Sequence, residues 1–91
     1  MKTTIYQGQP NNEYNFNNFA QTMKDRGARP QMQDPKINYQ LWAYELSAPD
    51  YCKIEYRANG LDEVMVSLEL NTNDSTLEKI LKQIFEKTKQ K

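Results

Sequence analysis

The sequence contains no histidine. The side chain that most readily gains or loses a proton near neutral pH is therefore missing. Its absence excludes Ser-His-Asp and Cys-His nucleophilic arrangements, and zinc sites that mix cysteine and histidine. A single cysteine, Cys52, excludes an internal disulfide framework. The three glycines, Gly8, Gly27 and Gly60, stand far apart, so no glycine-rich loop exists to cradle a phosphate.

Long hydrophobic runs are missing too. Nothing approaches the ~20 apolar residues of a membrane-spanning helix, and MKTTIYQGQPNNEYN lacks the apolar core of a signal peptide. The chain is expected to be soluble and cytoplasmic. It also lacks an excess of either charge, with 12 basic and 12 acidic residues and a net charge of zero. A general nucleic-acid binder is normally basic, because neutralising phosphates drives its affinity, so the global signal for that class is absent.

What is present is polar and uncharged. Mean hydropathy is −0.97, and asparagine and glutamine crowd residues 7–21. At 91 residues the chain is read as one domain, 1–91, able to bury roughly two-thirds of its unfolded surface.

Thr3–Tyr6 is β-prone and is stopped by Gly8 and Pro10. Phe16, Phe19, Ala20 and Met23 recur at i, i+3, i+4, i+7, which marks one face of a helix, with Asn12 as candidate N-cap and Gly27 as candidate C′ residue. Residues 28–36, carrying Pro30 and Pro35, read as a loop. Ile37–Leu46 reads as a strand of mixed phase, with Ile37, Tyr39, Leu41 and Ala43 on one side and Trp42, Tyr44 and Leu46 on the other. Either it is covered on both sides, or a bulge near Leu41–Trp42 switches its face.

Cys52, Ile54, Tyr56 and Ala58 alternate with polar residues, as do Val64, Val66, Leu68 and Leu70. The two runs are read as a hairpin turning near Asn59-Gly60. Ser75–Glu78 fits a capping box for a helix whose apolar stripe is Leu77, Ile80, Leu81, Ile84 and Phe85. The order is β-α-β-β-β-α, an α+β fold with a mostly antiparallel four-stranded sheet and both helices packed on one face.

Candidate chemistry is sparse. No metal or other cofactor is expected. The Asn71–Glu78 stretch faintly imitates a calcium loop, but it lacks the required glycine and spacing, and helix capping explains it. Cys52 sits in an apolar alternation and is read as core packing rather than a reactive thiol. A histidine-free ribonuclease would have to use Arg26, Arg29, Lys53, Arg57, Tyr39 and Tyr56, whose spacing is not diagnostic. Solvated charges on a wet sheet face explain the same residues.

Partner-binding candidates are Arg26, Arg29, Met32, Trp42, Tyr44, Lys53 and Arg57. Arg26 and Arg29 flank Gly27 and could grip a carboxylate or phosphate, although Arg26 also suits the negative end of a helix. Arg29 and Met32 are expected to be accessible. Trp42 and Tyr44 form an aromatic patch with Met65 if they lie on the open face, and are core if a bulge turns them inward.

The expected function is a small protein-binding module, not an enzyme, that covers a partner's surface. An inhibitor or accessory protein of phage, mobile-element or immunity type suits the small size and the Asn/Lys/Ile/Tyr-leaning composition. A homodimer through the same face is a milder version. A nucleic-acid module or histidine-free ribonuclease is the alternative, with Glu55 and Glu69 on the relevant face arguing against it. A subunit of a larger assembly is a third reading.

Overall fold

Two alternating runs make the centre of the sheet. In the structure, a computed structural model that describes residues 3–9, 15–59 and 63–88, these runs are β4 (Tyr51–Asn59) and β5 (Glu63–Asn71). They pair antiparallel from Tyr51↔Asn71 to Asn59↔Glu63. The turn anticipated at Asn59-Gly60 falls on residues 60–62, outside the described residues.

Around this hairpin the remaining strands are β1 (Thr3–Gly8), β2 (Arg29–Asp34) and β3 (Tyr39–Tyr44). The helices are α1 (Phe16–Asp25) and α2 (Ser75–Thr88). The sheet is antiparallel throughout, with strand order β1-β5-β4-β3-β2. The α+β class and the antiparallel sheet are as expected. The strand count is not, because the sheet has five strands.

The fifth strand is β2, which replaces most of the loop expected at 28–36. It is an edge strand, paired with β3 alone, and that is where a proline is tolerated within a sheet. It joins β3 through a tight turn at Pro35–Asn38. There the Asp34 carboxylate accepts from the Lys36 amide at 3.1 Å, and Asn38 takes φ +51°, a conformation asparagine tolerates better than most residues.

The register sorts every strand residue onto one of two faces. The row Tyr6–Leu68–Ile54–Trp42 lies on the helix side. Phe19 and Met23 of α1, and Leu81 and Phe85 of α2, close over this side in one core with Trp42, Cys52, Ile54, Tyr56, Val66, Leu68 and Leu70. Phe19 lies against Tyr56 with ring centroids 4.9 Å apart, and Phe85 against Tyr6 at 6.5 Å.

Each helix is bounded by a specific local device. Asn15 caps α1, its side chain accepting from the Asn18 amide at 2.9 Å; the cap anticipated at Asn12 lies outside the described residues. At the other end Gly27 adopts φ +85°. The amides of Gly27 and Ala28 return to the carbonyls of Lys24 and Met23, a Schellman closure that also buries Ala28.

The cap of α2 is Asp74 rather than Ser75. Its carboxylate accepts from the amides of Thr76 and Leu77 at 3.0 and 3.1 Å. Thr72 positions it, accepting from the Asp74 amide at 3.0 Å and donating to Asp50 at 2.8 Å. Glu78, the expected second half of a capping box, instead accepts from the Tyr6 hydroxyl at 3.2 Å and so ties α2 to β1.

Candidate functional site

With both helices on one side, no element among the described residues covers the other side of the sheet. Its residues follow from register. One row runs Met65–Arg57–Tyr39–Asp34. The next runs Gln7–Ser67–Glu55–Leu41–Met32, and a third runs Ile5–Glu69–Lys53–Ala43–Arg29.

Edge strand β2 brings Arg29 to this face together with Met32 and Asp34 because of a bulge. Arg29 pairs with Ala43 and Pro30 with Trp42, but the register then shifts, and Met32 pairs with Leu41. Without the shift, two residues three apart would point to opposite faces. With it, Arg29 and Met32 both lie on the open side, and both are exposed. Arg29 pairs there with Glu45 at 2.9 Å.

The charges on the face form local pairs. Tyr39 donates its hydroxyl to Glu55 at 2.7 Å, and Arg57 approaches the same carboxylate at 3.3 Å. The Arg57 guanidinium also lies 5.7 Å from the centre of the Tyr39 ring, within cation–π range. Lys53 stands 5.2 Å from the Tyr51 ring, whose hydroxyl hydrogen-bonds Glu69.

These contacts raise both phenols. Desolvation acts first on Tyr39, followed by the hydrogen bond and charge of Glu55, with Arg57 opposing. The Glu69 hydrogen bond is the main cause for Tyr51. Both hydroxyls are therefore proton donors at neutral pH and poor general bases.

Two hollows on the face are lined by described residues. One of about 220 Å³ is lined by Leu41, Lys53, Glu55, Ser67 and Glu69 and is polar. The other, about 440 Å³, is lined by Met32, Ile37, Tyr39 and Arg57. Met32 is 56% exposed, Ile37 61% and Met65 43%. Met65 is the direct cross-strand neighbour of Arg57, so one apolar corner surrounds that guanidinium.

The structure divides the seven sequence candidates. Arg29, Met32, Lys53 and Arg57 share the open face. Trp42 and Tyr44 do not. Trp42 is only 2% exposed and belongs to the core, and Tyr44 packs beside it. The aromatic patch anticipated from Trp42, Tyr44 and Met65 does not form. No bulge near Leu41–Trp42 is needed to bury the indole, because β3 pairs in unbroken register with β4 and the even-numbered residues face the helices. Burial raises the Tyr44 phenol, with Cys52 adding to the effect and Arg26 opposing it.

Arg26 is the C-cap residue of α1 and its charge acts on Tyr44 on the helix side, whereas Arg29 lies on the open face and pairs with Glu45. The ribonuclease set is likewise split, since Tyr56 is core. Cys52 is buried, and desolvation pushes its thiol up to about 12, which fits packing and not nucleophilic chemistry.

Sequence reasoning overlooked Ile37 as an exposed contact and Tyr39 as the organiser of the Arg57–Glu55 cluster. The signal for Tyr39 was available: its odd number shares the phase of Leu41 and Ala43, opposite to buried Trp42. Among the described residues no helix is long and apolar enough to cross a membrane. Comparison of the chain with protein-family models, with curated proteins and with solved structures returns no match.

Proposed function

We propose that this chain is a small protein-binding module. It acts in the cytoplasm as an inhibitor or accessory protein, of phage, mobile-element or immunity type, by covering a partner's surface with the open face of its sheet. The observation that supports this reading is the gathering of Met32, Ile37 and Met65 around Tyr39 and Arg57. Methionine adapts to irregular surfaces, and an arginine stacked on a tyrosine within an apolar surround is the composition of an interface anchor. A standard interface takes about 800 Å² from each partner, which requires most of the face and not the corner alone.

The test is an affinity capture from host-like lysate, split into nuclease-treated and untreated halves, beside a Met32→Glu/Ile37→Glu variant. A protein retained after nuclease treatment and lost with the variant supports the reading. A protein retained by both forms removes the corner from the interface.

A second reading, a nucleic-acid module or histidine-free ribonuclease, draws on Tyr39, Tyr51, Lys53 and Arg57 sharing the open face. Stacking rings interleaved with cations is the arrangement of a single-strand platform. Against it, Glu55 and Glu69 lie on the same face, Glu55 engaging Tyr39 and Arg57 and Glu69 engaging Tyr51. Co-purifying nucleic acid that is released by modest salt would favour it.

A further inference from the structure

The two edges of the sheet are built differently. A free edge presents unpaired amides and carbonyls that can template another strand, and proteins protect such edges with charge, proline and bulges. Edge strand β2 carries all three: Arg29 and Asp34, Pro30, and the register shift between Pro30 and Met32. Edge strand β1, TTIYQG, carries none of them. It has no charged residue and no proline, and it runs in unbroken register from Thr3↔Asn71 to Gly8↔Val66. Among the described residues no strand pairs with its outer side.

We infer that β1 is a dimerisation edge, at which two copies of this chain join antiparallel about a twofold axis into one ten-stranded sheet. The argument for a second copy as occupant is electrostatic and geometric. Two identical strands meeting across a twofold place each residue opposite its own symmetry mate or a near neighbour, so a charged strand would oppose itself. This strand carries no charge of its own, Lys82 over the Tyr6 ring is accompanied by Glu78 on the Tyr6 hydroxyl, and the whole chain has a net charge of zero, which removes the long-range repulsion between copies.

Side-chain parity restricts the register. Opposed residues must lie on the same face, and pairing centred on Ile5 places Ile5 against Ile5 of the partner subunit. Thr3 then faces a glutamine and Thr4 a tyrosine from the other copy. That register covers Ile5, otherwise a β-branched side chain 59% exposed on an edge. No residue of the apolar corner belongs to β1, so this inference does not rest on the proposed function.

The experiment is sedimentation equilibrium of the full chain from micromolar to millimolar concentration. The expected result is a concentration-dependent approach to twice the 10.7 kDa chain mass. Ile5→Lys, which puts like charges against each other at the axis, is expected to weaken association at least tenfold with an unchanged far-UV spectrum. Met32→Lys on the protected edge is expected to leave it unchanged.

Ile5→Cys supplies a measurement that does not require destabilising anything. Opposed antiparallel residues stand about 4.5–5.5 Å apart at Cα, within disulfide range. Under diamide this variant is expected to form a covalent dimer, while buried Cys52 stays reduced and Met32→Cys lags far behind. A native chain that remains monomeric to millimolar concentration overturns the inference. So does a dimer that survives Ile5→Lys, or one that crosslinks preferentially through Met32→Cys.

Discussion

The indole nitrogen of Trp42 donates to the side-chain oxygen of Gln40 at 2.7 Å, two positions back on the same strand. Gln40 in turn donates its amide nitrogen to the Phe16 carbonyl at 2.6 Å. A fully buried glutamine is thereby satisfied at both ends, and the first turn of α1 is fastened to β3. Buried polar groups are inexpensive when paired and costly when one partner is removed.

Gln40→Leu should therefore destabilise the fold by about 1–3 kcal/mol, the usual cost of stranding a buried donor, because it leaves Trp42 Nε1 without its acceptor. Trp42→Phe should cost a similar amount or more, since it also removes packing volume from the core. Urea unfolding followed by far-UV circular dichroism measures both. In the native protein Trp42 should emit at the short wavelength of a buried indole, and its emission should not move when a partner binds. A red-shifted, readily quenched tryptophan would contradict its placement.

The cap of α2 makes a sharper distinction. Asp74→Ala removes the acceptor for the Thr76 and Leu77 amides and should cost about 1 kcal/mol, with a ceiling near 2. Ser75→Ala should change stability by less than about 0.5 kcal/mol, the range for surface positions without a special role. Equal losses at the two positions would restore Ser75 as the cap.

Cys52 gives a pH dependence whose sign can be worked out. Burial raises the folded thiol to about 12, against a model-compound value of 9.0. Below about 9 both folded and unfolded thiols hold their proton, so this group does not alter stability. Between about 9 and 12 the unfolded chain releases a proton that the folded chain retains, and stability falls with rising pH by at most about 1.4 kcal/mol per unit. Tyr56, raised by the same desolvation, adds to the loss above its ordinary value of 10.0. Denaturant midpoints across this range should decline, and Cys52→Ala should flatten the first part of the decline. Native Cys52 should also resist thiol reagents until the protein unfolds.

The parts legible in the sequence are those that bury one face. β4, β5 and α2 each have a dry side and a wet side, so period 2 or period 3.6 reveals them. β2 was not legible because an edge strand with no buried face has no periodicity to show, and Pro30 within it and Pro35 just after it signal a break. β3 was ambiguous for the opposite reason. Its outward residues Leu41 and Ala43 are apolar although they lie on the open face, half-covered by their neighbours there. Either phase of the strand therefore looked buried, and Trp42 could not be placed. Of the candidate site, the cations and Met32 could be found as residue types, but the bulge that puts Arg29 and Met32 on one face depends on pairing with β3. Pairing across strands is a property of the fold and leaves no local mark in RPQMQD.

That bulged segment carries the last prediction. Arg29 makes an exposed pair with Glu45, both side chains lying mostly in solvent. Such pairs are worth about 0–1 kcal/mol, so Arg29→Ala should lower the thermal midpoint by less than about 5 °C. Met32→Glu should be equally mild, because Met32 fills no enclosed space. Both should nevertheless weaken partner capture if the open face is the interface, and Met32→Glu should weaken it more. A buried methionine contact is lost and a carboxylate must be desolvated beside Asp34, which lies two residues along the same strand. A midpoint loss as large as that of Gln40→Leu would mean that this segment holds the fold together instead. The binding surface would then have to be sought among Lys53, Glu55 and Glu69 at the centre of the sheet.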